Sequence, residues 1–118
     1  MINSPENKPQ GSKNSPSKKT PMVYIKEHFA EGLVVLAVCD ENTLGKTYSE
    51  GKISITVSTS FYQGELVSVP VALEKISKSA NSNLTGKRIV RAAIKAKLLE
   101  KDAILQIGKT AHAHRLIF

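Results

Sequence analysis

Apolar and polar positions along this 118-residue chain change period partway through. Val23-Tyr24-Ile25-Lys26-Glu27-His28-Phe29 mixes β-branched and aromatic residues with polar ones, as a half-exposed strand does. After the short Ala30-Glu31-Gly32 break, Leu33-Val34-Val35-Leu36-Ala37-Val38-Cys39 runs apolar without alternation, the pattern of a strand covered on both faces. The pair predicts an opening antiparallel hairpin with its second strand buried. Asp40 to Gly51 reads as a long loop or short helical turn. Lys52 to Ser58 alternates strictly, with Ile53, Ile55 and Val57 on one side, and is the clearest strand. Ser60 to Glu65 predicts a turn around Gly64, with Phe61 assigned to the core and Tyr62 to the surface; Leu66 to Val69 briefly continues the sheet.

The period then becomes helical. Pro70 suits a first turn, and Val71, Ala72, Leu73, Ile76 and Ala80 recur at helix spacing until Asn81-Ser82-Asn83 interrupts them. A second helix begins near Gly86, with Thr85 as its expected N-cap. On that helix Ile89, Val90, Ala93, Ile94 and Ala96 share one side, while Lys87, Arg91 and Lys95 recur at i, i+4 and i+8 on the other, flanked by Arg88. Leu98-Leu99 closes it, and Asp102 to Ile107 with Ala111 to Phe118 forms a final strand pair around Gly108. The expected fold is α+β: a small, mostly antiparallel sheet packed by two helices over residues 23–118, preceded by a disordered basic tail over 1–22. The tail holds four of the five prolines, four lysines and no aromatic residue, too little apolar surface to offset ordering.

Charge sharpens the picture. Between Lys75 and Lys101 lie eight of the seventeen basic residues against one acid, Glu100. That excess equals the net +7 of the whole chain. Clustered cations attract polyanions. The expected partner is RNA, with Lys87, Arg88, Arg91 and Lys95 as main contacts, Lys75, Lys78 and Lys101 peripheral, and the tail lysines a flexible supplement. Amides near Thr85, Gly86 and Lys87 would meet one phosphate at the helix N-terminus. A solvated helix face is the plain alternative.

Other motifs carry less. Gly45-Lys46-Thr47 invites a phosphate-loop reading, but Asp40 stands where the upstream glycine belongs. His112 and His114 lie two apart, on one side of a strand, yet lack a third and fourth zinc ligand at recognisable spacing. The lone Cys39 excludes an internal disulfide and a cysteine-cluster zinc site, and reads as a small packed hydrophobe. No catalytic residue, metal or cofactor is assigned.

Several runs together resemble the archaeal family designated domain of unknown function 424: VLAVCDENTLGKTYSEG at 35–51, FYQGELV at 61–67, ANSNLTGKRIVRAAIKAKLL at 80–99 and DAILQIGKTAHAH at 102–114. The resemblance spans nearly all of residues 23–118. The family pattern has an acidic residue near Lys87 and Pro-His-Ala-Gln near the end, where this chain has Ala111-His112-Ala113-His114. It implies an α+β fold, a cytoplasmic archaeal protein and a link to translation, since such genes tend to neighbour those of initiation factors and ribosome biogenesis. The functional expectation is therefore an RNA-binding accessory protein of the ribosome or translation, more plausibly not an enzyme. Its expected partners are ribosomal RNA and ribosomal or initiation-factor proteins, with no membrane. The alternatives are a small RNA- or nucleotide-processing enzyme using the 40–47 loop and His112, or an adaptor for an acidic protein.

Overall fold

The structure, a computed structural model, describes residues 21–118. The expected tail falls outside them except for Pro21 and Met22, and Met22 opens the first strand. The elements in order are β1 (Met22–Ala30), β2 (Leu33–Asp40), a 3-10 turn (Glu41–Thr43), β3 (Thr47–Glu50), β4 (Ile53–Thr56), α1 (Thr59–Tyr62), β5 (Glu65–Ser68), α2 (Val69–Ser77), β6 (Asn81–Thr85), α3 (Lys87–Lys95), a second 3-10 turn (Lys101–Ala103), β7 (Leu105–Ile107) and β8 (Thr110–Leu116).

The opening hairpin forms as expected. Ala30 pairs with Leu33 across Glu31 and Gly32, which both take positive φ (51° and 79°), the backbone that a two-residue hairpin turn needs. Burial covers only the second half of β2; Leu33 and Val34 at the tip are exposed.

The expected sheet is corrected. Six strands in the order β5-β1-β2-β6-β8-β7 make a mixed sheet, with β2 and β6 parallel at its centre, and β3-β4 forms a separate two-stranded sheet. Among the described residues three α-helices accompany them, not two. The cause is β6. Asn81-Ser82-Asn83-Leu84-Thr85 has weak strand propensity and interrupts the helical pattern, yet it lies between β2 and β8, where Ser82, Leu84 and Thr85 are buried. Its place in the sheet, not local preference, decides its conformation. Because β6 runs parallel to β2, the chain between them must cross over, and it does so through the β3-β4 hairpin, α1, β5 and α2.

Two apolar layers follow from the pleat. Val23, Ile25, Leu36, Val38, Leu84, Ala111 and Ala113 meet Ala72 and Ile76 of α2 and Ile89, Val90 and Ala93 of α3. On the opposite face, Ala37 and Cys39 pack with Val57 and Tyr62, bordered by Tyr24, Leu44, Tyr48 and Phe61. The strictly alternating Lys52–Ser58 run thus builds the small outer hairpin. Its Ile53 is exposed and only Val57, just past the strand, is fully buried.

Helix α3 stops at Lys95 instead of continuing to Leu98-Leu99. Lys97 adopts φ 64°, the Leu98 amide donates to the Ala93 carbonyl at 2.8 Å and the Lys97 amide to that of Ile94 at 2.9 Å. These bonds satisfy the helix's last carbonyls with a left-handed residue, a role glycine usually fills.

Candidate nucleic-acid interface

Helix α3 buries Ile89, Val90 and Ala93 and half-buries Ile94, so the positions between them point to solvent. Lys87, Arg88, Arg91 and Lys95 are all exposed, and among the described residues none of the four takes part in an ion pair. Lys87 and Arg91 also border a groove of about 200 Å³ between α3 and the edge of the sheet, with Ile94, Ile104 and Gln106. The other expected cations are not gathered there. Lys75 and Lys78 line a different groove, beside the tip of the opening hairpin with Leu33 and Phe118, and Lys78, the C-cap of α2, pairs with Glu74 at 3.3 Å. Lys101 lies beside Lys97, Glu100 and Asp102 at the far end of α3.

The helix N-terminus is not open to phosphate, contrary to the sequence reading. Asp40, the last residue of β2, accepts the Arg88 amide on Oδ2 at 2.8 Å and the Ile89 amide on Oδ1 at 2.9 Å. Burial holds its carboxyl above the ordinary carboxylate range despite these two donors and the Arg88 charge. Gly86, not Thr85, is the N-cap, at φ 126°. A side chain there would collide with the Asp40 carboxylate.

Thr85 is instead the middle of a polar chain on the sheet's other face. Tyr62 Oη lies 2.9 Å from Thr85 Oγ1, which lies 2.9 Å from His112 Nδ1. These side chains line a cleft of about 260 Å³ with Ile55, Val57, Ser58 and Phe61. The aromatic assignment reverses: Tyr62 is buried, while Phe61 is half-exposed and stacks on His28 with centroids 4.5 Å apart. Burial, then the neighbouring His114 charge, depresses the His112 pKa. His114 is separately held, donating from Nε2 to Asn81 Oδ1 at 2.6 Å. Among the described residues no group of three or more metal-ligating side chains converges.

The Asp40–Thr47 segment is not a phosphate loop. Gly45 turns at φ 82° and donates its amide to the Val57 carbonyl, and a strand follows where that motif needs a helix. Cys39 is fully buried and burial pushes its thiol up to about 11, so it is not a thiolate at neutral pH.

The family model described as "Protein of unknown function (DUF424)" matches residues 28–116. The chain belongs to that family. It is also similar to a solved structure, an uncharacterized conserved protein from Methanopyrus kandleri, at 25% identity and a TM-score of 0.69 over 82% of this chain and 94% of that one. No curated protein matches it significantly. Among the described residues no helix is long and apolar enough to cross a membrane.

The Asp40–Gly86 contact was hidden from sequence reading because forty-six residues separate its partners. Its one local sign was a glycine standing immediately before a helix that lacks a conventional cap.

Proposed function

We propose that this protein binds RNA phosphates through the exposed face of α3, as an accessory factor of the ribosome or of translation. The observation that carries the reading is the set of four exposed cations on one helix face, none of them within ion-pair distance of a carboxylate among the described residues. Lys87 with Arg91 and Arg91 with Lys95 stand at i, i+4, where like charges repel by a few tenths of a kcal/mol per pair. A line of phosphates would relieve that repulsion and release counterions. Since Asp40 occupies the Arg88 and Ile89 amides, side chains rather than the helix terminus would make the contacts. The main contacts are Lys87, Arg88, Arg91 and Lys95. Lys101, beside Glu100 and Asp102 at the far end of α3, and Lys75 and Lys78, at another groove, contribute only to the long-range field. Ribosomal RNA is the first target to test, from the association with translation that the family resemblance suggests.

Co-sedimentation with ribosomal subunits across a salt series tests this. Binding lost on nuclease treatment and weakening steeply with salt supports it. Binding that persists after nuclease and vanishes only when one ribosomal protein is removed would replace it with the adaptor reading.

A further inference from the structure

Two features of the cleft beneath the β3-β4 hairpin define what it can hold. Its walls combine the apolar side chains of Ile55, Val57 and Phe61 with the Thr85–His112 pair, and its volume of about 260 Å³ exceeds what one or two waters need. The hydrogen-bond chain also fixes the chemistry it offers. Tyr62 is buried, and among the described residues its hydroxyl has Thr85 as its hydrogen-bond partner. The arrangement that satisfies every buried hydrogen has Tyr62 donating to Thr85 and Thr85 donating to His112 Nδ1. A neutral His112, which lines the cleft, then carries its proton on Nε2, an atom with no hydrogen-bond partner among the described residues. The cleft therefore presents apolar walls with a neutral imidazole donor beside the hydroxyl-bearing side chains of Thr56 and Ser58. That combination suits a heterocycle bearing a ring carbonyl better than it suits a free phosphate.

We propose that this cleft takes one unpaired, carbonyl-bearing base (uracil, cytosine or guanine) of the RNA strand whose phosphates lie on α3. The proposal rests on the RNA reading above. Continuity of the chain supports it: Thr85 ends β6 at the cleft, and Lys87 begins α3 two residues later. A strand leaving its phosphates along Lys87 and Arg88 would reach the cleft without crossing the sheet's covered helical face. Base–side-chain stacking with hydrogen bonding at the base edge is the usual way single strands are read.

The test compares hexauridylate with an abasic hexamer of the same phosphate number at one salt concentration. The expected result is about tenfold tighter binding of hexauridylate. That preference is lost in His112→Ala, while affinity for the abasic strand is unchanged. Should the variant fail to fold, the wild-type imidazole resonances of His112 serve instead, and they shift with hexauridylate but not with the abasic strand. Equal affinity for the two strands, with His112 unmoved by either, overturns the cleft assignment and leaves the α3 reading standing. Failure to bind either strand overturns the α3 reading, and the cleft assignment with it.

Discussion

The carboxylate of Asp40 occupies the space that any side chain at Gly86 would need. One residue ends the central strand β2, the other caps α3, and between them they fix the helix to the sheet at its N-terminus. Gly86→Ala combines this collision with a φ of 126° that alanine strongly disfavours. It is expected to destabilise the fold by about 3 kcal/mol in urea titration. Asp40→Ala removes two helix-capping bonds, with an expected loss of about 1–2 kcal/mol. In the double variant the clash with the carboxylate is relieved, while the tight approach to the Cβ of residue 40, the backbone strain and the loss of the two capping bonds remain. The two effects should therefore sum to less than the separate losses, a coupling that a double-mutant cycle measures. Strict additivity would mean that the contact does not set the position of α3.

Strand β6 carries a second consequence. Ser82 is fully buried between β2 and β8, and among the described residues its hydroxyl has no hydrogen-bond partner. Removing an unsatisfied buried hydroxyl removes its desolvation penalty, so Ser82→Ala should stabilise the protein by up to about 1 kcal/mol. A lower urea midpoint for this variant would show that the hydroxyl is satisfied in solution.

How much of this was legible in the sequence depends on where each signal lay. Helix α3 was readable because its apolar and cationic positions follow one period over nine residues, and the structure exposes the cations as that period requires. The opening hairpin was readable from Glu31-Gly32 between two strand-like runs. Strand β6 was not, since its Asn and Ser side chains suit a loop and only the neighbours β2 and β8 make it a strand. The strongest alternation, Lys52 to Ser58, identified a strand but not its place in the small outer hairpin. The Tyr62–Thr85–His112 chain joins three elements distant in sequence, and treating Tyr62 as exposed concealed it.

The depressed His112 pKa links stability to pH. Its folded-state value lies below the ordinary 6.5, so the unfolded chain binds the proton more readily as acid is added. Its contribution is complete above pH 6.5 and is lost as pH falls through that value towards the depressed one. Asp40 has the opposite sign, since its raised value makes the folded state take up the proton first as pH falls towards 3.8. Urea midpoints of wild type and His112→Gln, compared from pH 8 to pH 5, isolate the histidine because Asp40 contributes to both. The gap between the two proteins should shift against the wild type in acid. A constant gap would mean that His112 is solvated like a free imidazole.

The most direct test of RNA recognition by α3 is the salt dependence of binding to a single-stranded RNA, for the wild type and for a variant with Lys87, Arg88, Arg91 and Lys95 all changed to Glu. Four phosphate contacts predict a slope of log K against log salt of about −3 for the wild type. The reversed variant, still folded by its melting transition, should show affinity reduced more than a hundredfold. Salt-insensitive binding, or full affinity in the folded reversed variant, would contradict the assignment.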